Sequence, residues 1–245
     1  MVWRQPYLRL SRKMRPSGKI IIAIAVLLAP LFASARNVDY PAGSLLTKVQ
    51  IKMLGVDGFF WSSPLTDELF ARIDGGSYGR GCTTPREELA YLHVLHRNFA
   101  GQSQVGEMVC AKSVAAELLA IFRELYDKGY PIEKMFLVDE YGASDERSMA
   151  DNNSSCFNYR SRPGMKTLSL HARGLAVDIN PLYNPYVKGP RIEPAAGVRY
   201  ADRSRACRYY ISKNDLCYKV FVRHGWSWGG AWRSAQDYQH FEKTK

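Results

Sequence analysis

Two short segments of the chain combine histidine with carboxylates at spacings that could do chemistry. The first holds His171 and Asp178 on either side of Gly174, and the second holds Asp237 and His240. Because glycine permits a tight bend and side chains alternate along a strand, His171 and an outward-facing Asp178 can meet at one point. Two imidazoles and one carboxylate, with a fourth position left to water, are the composition of a catalytic zinc site. The remaining acid could then act as a base on that water, although hydrogen-bonded His–Asp pairs without metal fit the same residues.

The elements that must position these segments are predicted from hydrophobic periodicity, and they indicate one α+β domain. Apolar residues recur at helical spacing in residues 65–73, 85–99 and 113–126. Short strands are expected at residues 136–138 and 175–180, the second of which carries Asp178. The polar stretches are expected to be loops at residues 141–162 and 181–208, and residues 220–245 to form short aromatic strands.

The first 35 residues are typical of an export signal. Six basic residues and no acid precede residue 20, and the apolar run at 20–33 is shorter than the about 20 residues that span a bilayer. It ends in Ala33-Ser34-Ala35, a pattern that signal peptidase reads, so cleavage before Arg36 is expected. An uncleaved anchor stays open, because the basic segment is long. Either outcome places residues 36–245 outside the cytoplasm, in the periplasm, cell envelope or extracellular space.

Composition excludes several classes of protein. With 46% hydrophobic and 23% charged residues, the chain is not a disordered acidic chain, a collagen-like repeat, a coiled coil or a multispan membrane protein. The formal net charge of +11 is concentrated at the N-terminus, since 28 basic against 23 acidic residues remain from residue 36 onward. That excess supports solubility and predicts no nucleic-acid partner.

The remaining histidines and the cysteines are expected to be structural. His93 and His96 lie three residues apart on the expected helix 85–99, at its surface or facing a cleft. An exported chain can form disulfides, and Cys207 and Cys217, ten residues apart, are the easiest local pair. The five cysteines contain no CxxC motif, which disfavours a thiolate zinc cage.

Taken together, the motifs resemble the zinc peptidases of bacterial cell walls, namely the VanY-type D-alanyl-D-alanine carboxypeptidases and the related L-alanyl-D-glutamate endopeptidases. The likeness covers residues 139–245, and residues 36–138 are expected to be a helical N-terminal part packed on this zinc peptidase core. The motifs that carry it are Ser169-x-His171-x-x-Gly174-x-Ala176-x-Asp178, Trp226-x-Trp228-Gly229-Gly230 and Asp237-x-x-His240-Phe241-Glu242.

The resemblance implies a ligand set and a base. One zinc ion per chain would be held by His171, Asp178 and His240, with Asp237 as the general base. Glu242 and Glu140 are the alternative candidates for the general base. An Asp in this role favours the endopeptidase branch. The implied fold is a small antiparallel sheet flanked by helices, similar to the Hedgehog and DD-peptidase fold.

The resemblance also implies a substrate-binding arginine. Residues 155–160 match a Ser-x-x-x-x-Arg setting, which makes Arg160 the substrate- and oxyanion-binding residue and adds Ser155 to the substrate site. An ion pair with the Asp145–Glu146 loop is the alternative for Arg160. Ser169 could orient the ligand loop or the substrate, or be a plain turn residue.

The implied function is hydrolysis of a peptide bond in the peptidoglycan stem peptide by a metal-activated water, as a D,D-carboxypeptidase or an L-Ala-D-Glu endopeptidase. The expected partners are stem peptides, with membrane contact only through an uncleaved N-terminal segment, and the chain is expected to be a monomer. Two alternatives stay open, a non-catalytic zinc-binding module and a cell-wall-binding protein. Three tryptophans could stack on sugars or belong to a packed core edge: Trp226, Trp228 and Trp232.

Overall fold

A computed structural model of the 245-residue chain describes Met1 and residues 37–160 and 167–244. The predicted signal segment lies outside these residues. Within the described part, no helix is both long and apolar enough to cross a membrane. The described residues form an α+β fold, as the sequence predicts, with three small antiparallel sheets.

The N-terminal part of the fold is built around one sheet. Its strands follow the spatial order β1-β4-β3-β2, and the central pair β3–β4 joins nine residues on each strand. Helix α3 packs on β3 and buries an apolar stripe that includes Leu118, Ile121 and Leu125. The elements are β1 (Leu45–Leu46), α1 (Lys48–Leu54), β2 (Trp61–Pro64), α2 (Asp67–Ala71), β3 (Leu89–Arg97), β4 (Ser103–Ala111) and α3 (Ala115–Asp127).

The C-terminal part holds two three-stranded sheets of very short strands. One has the order β5-β10-β8 and the other β7-β6-β9, and both are antiparallel. Short 3₁₀ helices at Leu170–Arg173 and Ala195–Tyr200 join the elements. The elements are α4 (Asp145–Ala150), β5 (Ala176–Asp178), β6 (Tyr186–Lys188), β7 (Arg191–Glu193), α5 (Leu216–Arg223), β8 (Ser227–Trp228), β9 (Gln236–Asp237) and β10 (His240–Glu242).

The two parts share one hydrophobic core. Buried side chains from β3, α3, β5, α5 and β10 belong to the same cluster, which includes Leu92, Leu118, Val177, Phe221 and Phe241. The aromatic rings of Phe221 and Phe241 stack with their centroids 4.3 Å apart. Because the cluster draws on both parts, residues 37–160 and 167–244 form a single domain.

The helix predicted at residues 85–99 is wrong. The expectation that residues 36–138 form a helical part is also wrong, because the described residues of this part are built around a four-stranded sheet. This segment is strand β3, and its residues from Leu89 to His96 are all buried. A strand covered on both faces reads as a continuous apolar run, in which a helical spacing of leucines arises by chance. The predicted helices at 65–73 and 113–126 are confirmed as α2 and α3, the first of them shorter than expected.

Other local predictions also need correction. The strand expected at residues 136–138 is absent from the described structure, because the Asn153 side chain pairs with the backbone of Phe136 in place of a neighbouring strand. The predicted loop 141–162 contains helix α4, and the loop 181–208 contains the β6–β7 hairpin. The five cysteines are all free thiols, and Cys217 is buried in the core while Cys207 is half-buried, so the predicted Cys207–Cys217 disulfide is wrong.

Candidate metal centre and cleft

The backbone between residues 169 and 178 places the first histidine beside the strand that carries Asp178. Ser169 begins the 3₁₀ helix by accepting a hydrogen bond from the backbone N–H of His171. Gly174 ends the helix with φ 65°, and a Cβ there would lie 2.3 Å from the backbone nitrogen of Ala111. Only glycine therefore allows the chain to turn into β5 at this close approach to β4.

The pairing of β5 with β10 supplies the second histidine. His240 lies directly opposite Asp178 in this antiparallel pair. The three side chains then converge: Nε2 of His171 is 3.2 Å from Nδ1 of His240 and 3.2 Å from Oδ2 of Asp178. Nδ1 of His240 is 3.0 Å from Oδ1 of Asp178. All three residues are buried, and their donor atoms form a group that could hold a metal ion.

The outer nitrogens of both imidazoles are held by acceptors. Nδ1 of His171 lies 2.6 Å from the backbone carbonyl of Cys156, and Nε2 of His240 lies 3.3 Å from Oε2 of Glu242. A carbonyl or carboxylate oxygen accepts a hydrogen bond, so each outer nitrogen can keep its proton while the inner nitrogen of each ring faces Asp178. The inner nitrogens and the carboxylate lie within 3.2 Å of one another, an approach that a shared proton or a metal ion between them stabilises. The donor set therefore fits a metal ion.

The charges at this cluster shift the pKa values of its members. Burial lowers the pKa of His171, against the attraction of Asp178. For His240 burial also opposes the charged form, but the hydrogen bonds to Asp178 and Glu242 outweigh it and raise the pKa to about 10. Although burial favours the neutral acid, the two imidazoles hold the pKa of Asp178 well below its usual range. The carboxylate is therefore ionised and available as a ligand.

Asp237 lies next to this cluster without belonging to it. It pairs with Tyr186 in the β9–β6 ladder, and a Cβ on Gly229 would come within 2.8 Å of its Cβ and carbonyl oxygen. Its Oδ1 is buried and has no hydrogen-bond partner among the described residues. Burial raises the pKa of Asp237 to about 7, helped by the charge of Asp178 and opposed by His240 and Arg160. A carboxyl group with a pKa near neutrality is suited to taking up a proton.

Arg160 forms the ion pair that the sequence offered as its alternative role, and it also lies in the cleft. Its Nε forms an ion pair with Asp145, whose other carboxylate oxygen accepts a 2.6 Å hydrogen bond from Asn158. The same arginine lines the cleft that contains the histidines. Burial lowers the pKa of Arg160, while the charges of Asp178, Asp237 and Glu193 favour its protonated form. The Arg160 guanidinium is thus a cation close to the acids of this cleft.

The cleft has a volume of about 620 Å³. Ser169, Glu193 and Trp232 line it as well, and the ring of Trp232 lies 5.4 Å from that of His240. Of the seven residues that the sequence assigns to the metal, catalytic and substrate site, six line this cleft: Arg160, Ser169, His171, Asp178, Asp237 and His240. The seventh, Ser155, does not line it, and its backbone pairs with that of Asp178.

The remaining candidates serve the core. Nδ1 of His93 is 2.8 Å from the backbone oxygen of Phe59, and Nδ1 of His96 is 2.7 Å from that of Ile132. Both histidines are buried on strand β3, so their predicted place on a helix surface or in the cleft is wrong. Trp226 and Trp228 are buried, which agrees with the packed core edge.

The sequence assigns Glu242 the role of an alternative general base. The structure instead places its carboxylate on the outer nitrogen of His240. The signal was present in the sequence, because residues two apart on a strand share a face, and Glu242 follows His240 at that spacing.

The site thus combines a donor set that could hold a metal ion with a carboxyl group and an arginine that line the same cleft. Residues 163–243 match the family model described as D-alanyl-D-alanine carboxypeptidase, which confirms the resemblance to the VanY-type peptidases. The matched residues make up a third of the chain and include His171, Asp178, Asp237 and His240. The match supports a peptidoglycan-acting metallopeptidase in general. Comparisons with curated proteins and with solved structures gave no match.

Proposed function

We propose that the chain is a zinc-dependent peptidase that hydrolyses a peptide bond in the stem peptide of peptidoglycan. The observation that carries the proposal is the convergence of His171, Asp178 and His240 beside Oδ1 of Asp237, a buried carboxyl oxygen without a hydrogen-bond partner among the described residues. Two imidazoles and a carboxylate leave one coordination position open in a tetrahedral zinc site, as catalytic sites require. One zinc ion per chain fits this donor set.

The side chains around the cluster divide the chemistry between them. Zinc at these ligands would supply a Lewis acid that polarises a carbonyl group and lowers the pKa of water. Asp237 accepts the proton of the attacking water and returns it to the leaving amine, which its pKa of about 7 favours. Arg160 stabilises the negative charge that develops on the carbonyl oxygen, or binds a substrate carboxylate through its planar fork.

Charges of both signs around the cleft suit a peptide with free carboxylates and amines. Arg160, Lys188 and Arg191 line it together with Asp145, Glu146 and Glu193. This pattern supports either a D,D-carboxypeptidase or an L-Ala-D-Glu endopeptidase, both of which act on such peptides. We further propose that the enzyme is exported, because the N-terminal segment has the features of an export signal. Its oligomeric state is proposed to be a monomer.

Digestion of purified muropeptides, followed by mass spectrometry, tests the proposal. The expected product is either free D-alanine or a stem peptide cut between L-alanine and D-glutamate, and the mass identifies which. The full chain with Asp237→Asn is the matched control and should leave the muropeptides intact. Zinc bound at one per chain without any product would instead indicate a non-catalytic zinc-binding module. Absence of both zinc and product would indicate a cell-wall-binding protein.

A further inference from the structure

Residues 195–214, between β7 and α5, concentrate positive charge on one connecting segment. The segment holds five basic residues and one acidic residue. Arg199, Arg205, Arg208 and Lys213 are exposed there, and Arg205 alone of these has a carboxylate nearby, Asp202 at 3.8 Å. Arg199, Arg208 and Lys213 have no ion-pair partner among the described residues.

Six of the eleven described arginines outside this segment have a carboxylate within salt-bridge distance. The arginines paired in this way are Arg72, Arg86, Arg123, Arg160, Arg191 and Arg223. Exposed arginines without an ion pair among the described residues also occur at Arg80, Arg147, Arg173 and Arg233. What distinguishes residues 195–214 is the excess of five basic residues over one acidic residue within one connecting segment.

Aromatic rings lie among these cations. Arg199 lies over the ring of Tyr200 at 4.7 Å, and Arg208 lies over that of Tyr209 at 5.0 Å. Tyr209 in turn stacks on Phe99 with ring centroids 3.7 Å apart. Stacking on rigid aromatic groups orients the guanidinium groups at the surface without neutralising them.

The basic segment is joined to the cleft at two points. Strand β7 supplies Arg191 and Glu193 to the cleft wall and leads directly into the segment. Arg203 is wedged between the rings of Tyr210 and Tyr238, at 3.8 and 4.0 Å, and Tyr238 lies between the cleft residues Asp237 and Gln239. A polymer bound in the cleft could therefore continue onto this surface.

We propose that Arg199, Arg208 and Lys213, together with the tyrosines beside them, form a second binding surface for the polymeric wall substrate. Its ligand chemistry is that of sugar rings linked to peptides with free carboxylates. Guanidinium groups bind carboxylates through paired hydrogen bonds, and the tyrosines beside them hold these groups in place at the surface. The surface holds the polymer while one stem peptide occupies the cleft. This inference rests on the proposed function for the identity of the polymer.

Co-sedimentation with insoluble peptidoglycan tests the surface without depending on catalysis. The full chain with Asp237→Asn serves as the parent, and Arg199→Gln, Arg208→Gln and Lys213→Gln are introduced together. Binding should weaken roughly tenfold, because each exposed ion pair contributes little and three losses add. Added salt should weaken the parent's binding, and the triple variant should respond to salt less steeply.

A charge-matched control separates this surface from general attraction by a basic protein. Lys48→Gln, Lys52→Gln and Lys128→Gln remove the same charge from exposed positions elsewhere and should leave sedimentation at the parent's level. Equal weakening in both triple variants, or unchanged binding in the Arg199, Arg208 and Lys213 variant, would overturn the inference. Thermal melting checks that both variants fold. Hydrolysis of a short soluble stem peptide by the unmodified chain tests the proposed function separately, so the two failures are distinguishable.

Discussion

The N-terminal sheet and the sheet that carries the candidate metal centre use buried histidines in opposite ways. In β3, His93 and His96 contact backbone carbonyls from neighbouring segments, and the pair β3–β4 extends over nine residues. In the β5–β10 pair, only three residues long, the imidazoles of His171 and His240 face a carboxylate and each other. All four histidines are buried, so burial does not distinguish the two regions. The difference is that the imidazoles of His171 and His240 turn one ring nitrogen towards the carboxylate of Asp178, whereas those of His93 and His96 face backbone carbonyls.

The largest expected effect comes from removing an imidazole at the metal centre. His171→Ala should lose both the bound metal and hydrolysis of stem peptides, because two ligands hold zinc far less tightly than three. The fold should survive, since the site sits on strands that pack independently of it. His93→Gln is the matched control from the N-terminal sheet and should keep its metal. Elemental analysis of the two purified variants measures this, and full metal content in His171→Ala would remove that residue from the ligand set.

Next in size is the loss of the base. Asp237→Asn keeps the shape and hydrogen-bonding capacity of the side chain, but it cannot take up the proton. Hydrolysis should fall by about 10²–10⁴-fold, mainly in kcat, with metal content unchanged. Loss of metal in this variant would make Asp237 a ligand, and full activity would move the base to Glu242 or Glu140.

The pH profile sharpens the same test. Asp237 works only when ionised, so kcat/KM should be highest above its pKa of about 7 and fall as the pH drops through it. A bound cation nearby favours the carboxylate and moves this limb to lower pH. The residual activity of Asp237→Asn should not show this fall of kcat/KM at low pH. Rates of stem-peptide hydrolysis measured over a range of pH check this.

Arg160→Lys should have a smaller effect. Lysine keeps the positive charge but loses the planar fork, and a hydrogen bond to a charged group is worth about 1.5–3 kcal/mol, or roughly 10–150-fold in turnover. Metal content should stay the same. Arg86→Lys, at an arginine outside the cleft, serves as the control. Unchanged kinetics on a stem peptide would show that the ion pair with Asp145 is the whole role of Arg160.

Sequence alone predicted the site better than the fold that carries it. Five of the residues that line the cleft belong to the His171–Asp178 and Asp237–His240 segments, whose chemistry depends on residue type and short spacing. Strand β3 was mistaken for a helix because burial on both faces removes the alternation that marks a strand. The motif predicts Ser155 in the substrate site, but Ser155 does not line the cleft. Its backbone pairs with Asp178, a residue distant in sequence, and the local motif does not indicate this pairing.

The smallest effect on hydrolysis, and the sharpest contrast with the metal centre, is expected at His96. Burial lowers its pKa to about 4, against a hydrogen bond to the carbonyl of Ile132 that favours the charged form. Between about pH 6.5 and 4 the unfolded chain therefore binds a proton that the folded chain does not, and the free energy of unfolding falls as the pH drops through this window. The contribution of this one group is about 3 kcal/mol at most. In His96→Gln that contribution disappears, so denaturation curves should show a flatter dependence on pH than in the unmodified chain. Metal content and hydrolysis at neutral pH should stay the same, and parallel pH curves for the two proteins would contradict the assignment.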